Sequence, residues 1–530
     1  MTATGTAPRR VAEERRTSVG RAAALSAALI AGGTVLGFLR DLAMAALFGA
    51  SGSTDAFLVA WTIPETVSPL LIEDAMALLM VPAVTRLLAG GRGVRPFVLA
   101  TLPHMVAGLA LVTLLLAVGA PFLVGVLAPG LTQVGPAVLC VRLTAVTVVT
   151  FGIAGFMSAT LRAHHRFGPP AAIYLAYNVG ILALIAGLSG LVGITSAAIG
   201  VACGSVLMVA VQAPAFLRCL RSGSGLSVEK NEFRLEVAAV VPIVVYTVTR
   251  QAQVFVERFL GSGLAAGSIS QLNYAQKVAQ VPMVLSLLIV TVTFPRLARA
   301  SADGDTRRVA VRIQRDLAAV SGMVLCATAF LVAFAPAIVA ALFEHGAFTS
   351  ADTAETAAIM RVYALGLWGQ TTVGLAARAF FAHGRPTWRP AAVLAVGLAV
   401  TAVIGAVFTA VAGTVALAAA NAAGITLAAV LMLAGVRRRV APISLRRIGA
   451  DVARLVLVAS GACAAGLLVA AVGGPPLVRL VVGGVATVLT FAGLVALAGR
   501  HLITTWLSTT WISTGSIAGR GPAEPQEDDQ

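Results

Sequence analysis

Residues 37–64, GFLRDLAMAALFGASGSTDAFLVAWTIP, decide the fold of this chain. An apolar segment that carries the charged pair Arg40 and Asp41 ends at a turn of small residues, and a second apolar segment begins at Thr54-Asp55. A charge inside a segment long enough to cross the hydrocarbon is costly, and such residues usually face a water-filled cavity or a partner of opposite charge. The stretch therefore predicts two membrane helices that present charged side chains to a cavity.

Composition places the whole chain in the same class. Of its 530 residues, 58% are hydrophobic and 11% are charged, and the mean hydropathy is +0.92. A soluble domain carries roughly 25% charged residues. The five cysteines are scattered and form no CxxC pair, so we expect them to be packing residues with no metal or disulfide role. We predict an all-α polytopic membrane protein with no cofactor, no metal and no catalytic residue.

Apolar runs of about 20 residues mark the candidate membrane helices. They predict about 14 transmembrane helices. The approximate spans are 20–48, 55–85, 97–118, 135–160, 170–187, 194–216, 236–258, 268–295, 317–343, 353–382, 390–411, 414–435, 454–472 and 479–499.

The basic residues predict the orientation of these helices. Of the 38 Lys and Arg, 30 fall in the termini and in alternate loops on one side, whereas only Arg258 and Arg479 fall in loops on the other. The six within helices are Arg40, Arg142, Arg250, Lys277, Arg361 and Arg378. Cytoplasmic loops carry the excess of positive charge, so both termini are expected in the cytoplasm of a bacterial plasma membrane. The net charge of +16 then reflects topology and attraction to anionic lipid, and predicts no nucleic-acid partner.

An internal repeat divides the chain into two halves. Residues in the two halves match at a nearly constant offset of 218–220 positions: Arg40 with Arg258, Gly49 with Gly267, Pro64 with Pro282, Arg142 with Arg361, and Gly193 with Gly413. Six helices per repeat give both halves the same orientation, with an axis along the membrane normal. The predicted domains are a basic N-terminus (1–19), an N-lobe (20–216), a cytoplasmic linker (217–235), a C-lobe (236–435), a basic loop with two helices (436–499) and a disordered tail (500–530).

The opening stretch resembles the start of the MurJ/MviN family, the lipid II flippases of the multidrug/oligosaccharidyl-lipid/polysaccharide exporter superfamily. The resemblance returns at 265–282, 294–300 and 342–367 and covers about residues 20–435. It implies two six-helix lobes plus two further helices, and outward transport of an undecaprenyl-pyrophosphate-linked disaccharide-pentapeptide by alternating access for peptidoglycan synthesis. It also implies a cationic cavity for the pyrophosphate.

Matching positions carry some of the family's functional residues over to this chain. Arg40 and Asp41 keep the GFxRD motif, Asp55 keeps the start of helix 2, and Glu73 keeps the acid of an Ala-Glu-Gly segment in which Asp74 replaces the glycine.

Other positions depart from the family. Ser68-Pro69 replaces an Arg pair, Lys277 replaces the arginine of helix 8, and Glu65 is an added acid. Gly33-Thr34 stands where Ser-Arg is common, Gln280 where an acid sometimes stands, and 390–411 has no acid to hold a sodium ion. These changes leave open whether the substrate is lipid II or another polyprenyl-linked glycan.

These considerations define the candidate site. Substrate binding is assigned to Arg40, Lys277, Asp41 and Glu73, and the gate or coupling candidates are Asp55, Glu65, Asp74 and Arg250. Two interpretations compete with these roles: Arg40 and Asp41 form a structural ion pair, and Asp55 caps the helix in whose first turn it lies. Capping is the favoured role for Asp55.

Three further functions remain alternatives to a lipid II flippase. They are a flippase for another lipid-linked glycan, a multidrug antiporter, and a non-transporting scaffold that binds cell-wall synthesis proteins. An antiporter would favour acids and aromatic residues around a cationic drug, and only 6% of the residues are aromatic. A membrane-embedded glycosyltransferase is disfavoured because the predicted outer loops contain no DxD pair, metal cluster or nucleophile arrangement.

Overall fold

The computed structural model describes residues 7–91, 93–221, 237–284, 303–382, 387–471 and 475–497. These residues form helices and no strand, which confirms the all-α class. The helices before residue 222 are α1 (Ala7–Phe48), α2 (Gly52–Ser68), α3 (Met76–Ala89), α4 (Val94–Val118), α5 (Ala120–Leu127), α6 (Val134–Thr144), α7 (Thr147–Ala163), α8 (Gly168–Val192) and α9 (Thr195–Arg221). Those after it are α10 (Val237–Gly261), α11 (Ser268–Ala279), α12 (Thr306–Phe343), α13 (Ser350–Leu365), α14 (Leu367–Ala382), α15 (Arg389–Arg439), α16 (Leu445–Ala471) and α17 (Pro476–Leu497).

Ten helical segments in this part of the chain are long and apolar enough to cross a membrane. One of them, Arg389–Arg439, contains both predicted helices 390–411 and 414–435, which Gly413 separates. The polytopic membrane class is therefore confirmed, and the segments are consistent with about 14 spans. Three details differ from the sequence prediction. The predicted loop 118–135 contains the short helix α5, and the predicted helices 135–160 and 353–382 are interrupted after Thr144 and Leu365.

The backbone repeats where the sequence repeats. Gly193 has φ 58° and ψ −137°, and its counterpart Gly413 has φ 53° and ψ −133°. Gly49 and Gly267 also both have positive φ, at 64° and 95°. Side chains disfavour such backbone conformations, so glycine at corresponding turns of both halves indicates that each half makes the same turn. These angles support the internal repeat.

Pro64 and Pro69 interrupt the backbone hydrogen bonding of the second predicted helix. It runs through α2, a π-helical turn at Pro69–Ala75, and α3. Because proline has no N–H, Pro64 leaves the carbonyl of Ala60 without its helical donor, and Pro69 does the same to Glu65. Side chains of neighbouring helices donate hydrogen bonds to these two carbonyl oxygens instead. Thr144 Oγ1 donates to the Ala60 oxygen at 3.3 Å, and Gln251 Nε2 donates to the Glu65 oxygen at 2.6 Å.

The chain divides into two compact units. The first comprises Met1–Val278, Ile338–Tyr363 and Arg385–Ile425, and contains every candidate site residue. Its core includes aromatic side chains of α2, α7 and α8, and α8 packs closely along α9. Gly180 and Gly204 lie at this helix contact, where a Cβ on Gly204 would come within 2.6 Å of the Tyr177 carbonyl oxygen. Small residues permit such close backbone approach between membrane helices.

The second unit comprises Ala279–Ala337, Ala364–Gly384 and Thr426–Gln530. Among its described residues, α16 packs against α17, and its core includes Leu325, Leu455 and Phe491. The predicted lobe boundaries, 20–216 and 236–435, stay a prediction. The predicted tail 500–530 and most of the linker 217–235 lie outside the described residues.

Candidate substrate cavity

Arg40 is held on three sides in the first unit. Its Nε and Nη2 donate to Asp41 Oδ1 at 3.1 and 2.8 Å. Its Nη1 donates to Asn178 Oδ1 at 3.3 Å. The guanidinium carbon lies 4.3 Å from the centroid of the Trp61 ring. Asn178 is itself fixed, because its Nδ2 donates to the carbonyl oxygens of Gly33 and Tyr174. A cation over an aromatic face and beside a carboxylate is strongly stabilised. The predicted Arg40–Asp41 ion pair is therefore present, and it positions the guanidinium rigidly.

Lys277 is paired less tightly. Its Nζ lies 3.4 Å from Glu65 Oε1, and the other carboxylate oxygen of Glu65 lies 3.9 Å from Nη2 of Arg258. Lys277 belongs to α11, Glu65 to α2 and Arg258 to α10, so one acid joins two cations on two other helices. The Lys277 side chain remains 29% exposed.

One small cavity brings the two predicted substrate-binding cations together. Its lining comprises Arg40, Asp41, Met44, Thr54, Phe57, Leu58, Trp61, Asn273, Tyr274 and Lys277. The open space measures about 10 Å³, which is room for about one water molecule. The lining carries two cations and one carboxylate, and a second carboxylate, that of Glu65, pairs with Lys277 from outside the lining. A headgroup can enter only after these side chains separate.

Asp55, next to the cavity-lining Thr54, makes a contact that sequence reasoning did not predict. The cap of α2 is Ser51, whose Oγ accepts a hydrogen bond from the Thr54 N–H, so the favoured interpretation of Asp55 as the cap of its own helix is wrong. The Asp55 carboxylate instead accepts hydrogen bonds from the backbone N–H groups of Gly267 and Ser270, both at 2.7 Å. Asp55 therefore caps α11, because a carboxylate satisfies the unpaired N–H groups and opposes the dipole of that helix end.

The remaining candidates lie on or beside the π-helical turn and do not line the cavity. Glu73 accepts a hydrogen bond from Tyr174 Oη at 2.9 Å, and Asp74 accepts one from Thr247 Oγ1 at 2.5 Å. Arg250 is exposed on α10. Their assignments, Glu73 to substrate binding and Asp74 and Arg250 to gating or coupling, stay predictions.

Sequence reasoning misplaced two arginines and missed one buried acid. Arg258 was placed in a loop, but α10 continues to Gly261 and the Arg258 side chain is buried. Its repeat relation to Arg40 is the signal that could have identified it. Arg479 likewise lies in the first turn of α17. Glu257 is buried and accepts hydrogen bonds from Tyr363, Asn421 and Gln253, and no local pattern marks it.

The described residues contain no group of three or more His, Cys, Asp or Glu side chains that could hold a metal ion. The chemistry that this cavity offers is the binding of anionic oxygens by one guanidinium and one ammonium, next to an indole ring.

Comparison with known proteins is consistent with this geometry. The family model "Lipid II flippase MurJ" matches residues 44–478. A probable lipid II flippase MurJ of Rhizobium meliloti is 28% identical over 353 residues, and the match covers 63% of this chain and 65% of that protein, just under two thirds of its length. The lipid II flippase MurJ of Burkholderia cenocepacia is 26% identical over 428 residues, covering 76% of this chain and 81% of that protein.

Solved structures show the same fold. The inward closed conformation of a lipid II flippase MurJ matches with a TM-score of 0.75 and 20% identity, covering 90% of this chain and 99% of that one. An inward-facing multidrug resistance MATE transporter matches with a TM-score of 0.63 and 12% identity, covering 79% of this chain and 95% of that one. At these identities the likeness concerns the fold alone.

Proposed function

The chain belongs to the MurJ lipid II flippase family, and on that premise we propose that it moves a polyprenyl-pyrophosphate-linked cell-wall precursor, lipid II, across the membrane. Transport runs from the cytoplasmic to the outer leaflet by alternating access and supplies peptidoglycan synthesis. The observation that carries the proposal is the joint presence of Arg40 and Lys277 in one cavity of the first unit.

The two cations have different parts in binding the headgroup. The guanidinium of Arg40 offers a planar fork of N–H donors that suits two phosphate oxygens, whereas the ammonium of Lys277 acts as a point charge. Arg40 is already oriented by Asp41, Asn178 and Trp61, so little side-chain entropy is lost when it binds the substrate. The polyprenyl tail stays in the lipid while the pyrophosphate enters the cavity.

Asp55 acts as the outer gate of this cycle. Its carboxylate holds the N-terminus of α11 against the start of α2, and this contact must break before the cavity can open on that side. Both contacts are hydrogen bonds to backbone N–H groups, so the gate can reform without any precise side-chain partner. The proposed orientation places both termini in the cytoplasm and this contact near the outer surface, as the distribution of Lys and Arg predicts.

A second substrate class is favoured by particular residues. Ser68-Pro69 in place of an Arg pair and the added acid Glu65 make this region less cationic than the family pattern implies, and Lys277 keeps the charge of an arginine without its fork of donors. A lipid-linked glycan other than lipid II, carried on the same kind of polyprenyl phosphate, would fit such a cavity.

Complementation tests the function directly. In a bacterium depleted of its own lipid II flippase, the wild-type chain is expected to restore growth and the exposure of lipid II at the outer leaflet. Arg40→Ala and Lys277→Ala should each abolish rescue at equal expression. Arg142→Ala is the matched control, because Arg142 is exposed and its Nε donates only to the Ala117 carbonyl oxygen among the hydrogen bonds described.

Three other outcomes separate the alternatives. Well-expressed wild type that fails to rescue contradicts lipid II as the substrate and favours another glycan. Resistance to cationic drugs in place of rescue favours an antiporter. Co-purification with cell-wall synthesis proteins together with full activity of the Arg40→Ala, Lys277→Ala double variant favours a scaffold and contradicts the assigned cavity.

A further inference from the structure

Glu65 occupies an unusual position between two cations. Its Oε1 lies 3.4 Å from Lys277 Nζ, and its Oε2 lies 3.9 Å from Arg258 Nη2. Oε2 is buried and has no hydrogen-bond partner among the described residues, and the same is true of Arg258 Nε. A buried ion pair stabilises a fold only when good geometry and further hydrogen bonds compensate its lost hydration. Glu65 is therefore a loosely held counter-ion.

The contrast with Asp41 is direct. Asp41 makes a 2.8 Å charged hydrogen bond to Arg40, its neighbour in the same helix. The Glu65–Lys277 contact is 0.6 Å longer, joins residues 212 positions apart, and leaves the Lys277 side chain 29% exposed. Of the two carboxylate–cation pairs at the cavity, the one at Lys277 is the easier to separate.

The backbone around Glu65 lets the side chain move while the chain itself stays in place. Pro69 removes the helical donor of the Glu65 carbonyl, and Gln251 Nε2 of α10 replaces it at 2.6 Å. The main chain of Glu65 is thereby anchored to α10, while its carboxylate reaches Lys277 through rotatable bonds.

We propose that Glu65 is an internal counter-ion that a phosphate group of the substrate displaces from Lys277. In the empty cavity the carboxylate neutralises Lys277 and lowers the repulsion between Lys277 and Arg258. When the headgroup enters, phosphate oxygens bind the Lys277 ammonium, and the Glu65 carboxylate moves away from it. When the cavity opens on the other side, the Glu65 carboxylate pairs with Lys277 again and displaces the phosphate. This inference rests on the proposed function and assigns Glu65 to substrate release.

The test measures binding of farnesyl pyrophosphate, a short soluble polyprenyl pyrophosphate, to the purified full-length protein in lipid nanodiscs. Glu65→Gln removes the competing charge, so its Kd is expected to fall about fivefold, the factor that corresponds to an ion pair of about 1 kcal/mol. Glu65→Asp keeps the charge on a shorter side chain and should give an intermediate Kd. Glu355→Gln, an exposed acid on α13, is the control and should leave the Kd unchanged.

A double variant distinguishes competition from positioning. In a Lys277→Gln background, Glu65→Gln should no longer tighten binding, because there is no ammonium left to compete for. An unchanged or raised Kd for Glu65→Gln in the presence of Lys277 overturns the inference, since it shows that Glu65 merely positions the lysine. Failure of the wild type itself to bind farnesyl pyrophosphate contradicts the proposed function as well.

Discussion

Glu257 is a buried acid of the first unit that accepts three side-chain hydrogen bonds. Its Oε1 accepts from Tyr363 Oη at 2.6 Å, Asn421 Nδ2 at 2.7 Å and Gln253 Nε2 at 3.2 Å, and the residue is only 4% exposed. A buried carboxylate surrounded by donors is stable only as a complete network. Glu257 therefore joins α10, α13 and α15 of the first unit.

Glu257→Gln tests this network. The amide oxygen can still accept from the three donors that bind Oε1, but it lacks the negative charge that strengthens these bonds, so we expect the free energy of unfolding to fall by about 1–3 kcal/mol. Thermal unfolding of the purified protein in detergent measures the loss. Glu355→Gln replaces an exposed acid on α13 and should leave the midpoint unchanged. Equal midpoints for the two variants would contradict a structural role for Glu257.

Helix pairs in this protein depend on small residues where backbones meet. On α9, Gly204 lies against the Tyr177 carbonyl of α8, whereas Gly187 of α8 has open space around the position of a Cβ. Membrane helices gain little from burying apolar surface against one another, so close packing contributes most of their association. The two glycines thus offer a matched comparison.

Gly204→Val should separate α8 from α9 and destabilise the protein by about 1–3 kcal/mol, the usual cost of overpacking. Gly187→Val should be tolerated, since nothing lies within 4 Å of the added atom. Folded yield and thermal unfolding in detergent report both effects. Comparable stability of the two variants would show that α8 and α9 do not depend on this contact.

Asp55, in the first turn of α2, accepts hydrogen bonds from backbone N–H groups at the start of α11. Asp55→Asn replaces one acceptor oxygen with a donor group and removes the charge that opposes the helix dipole, a loss of about 1 kcal/mol. The contact between residue 55 and the start of α11 should then be broken in about five times as many molecules. A cysteine at Met44, which lines the cavity, should react correspondingly faster with an impermeant maleimide added to intact cells.

Asp305→Asn is the control for that measurement. Asp305 also accepts a backbone hydrogen bond at a helix start, from the Arg308 N–H, but it lies at α12 in the second unit. Its substitution should leave the labelling rate at Met44→Cys unchanged. If Asp55→Asn also left that rate unchanged, Asp55 would not act as a gate.

The basic loops predict the orientation of the whole molecule in the membrane. Gln133 lies in a predicted outer loop and Gly90 in a predicted cytoplasmic one, and both are exposed. In intact cells, an impermeant maleimide should label Gln133→Cys and should label Gly90→Cys only after permeabilisation. Wild type, with its five native cysteines, gives the background. The opposite labelling pattern would place the termini outside and reverse the proposed direction of transport.

Much of the fold could be predicted because the bilayer restricts the choices. A chain with this hydropathy must satisfy its backbone hydrogen bonds within each segment, so apolar runs become helices. Arg40 and Lys277 stood out for the same reason, since charge within such runs is rare. The break after Thr144 and the helix Ala120–Leu127 were not predicted, because hydropathy alone does not show a local interruption.

The sequence by itself therefore determined the membrane class, most of the helical segments, the internal repeat and the two cations of the cavity. Only the tertiary structure decided their partners. Asp55 meets Gly267 and Ser270, and Glu65 meets Lys277, more than 200 residues along the chain. Hydropathy and local spacing describe one helix at a time, whereas an ion pair or a helix cap between distant segments depends on which faces of those helices meet after folding.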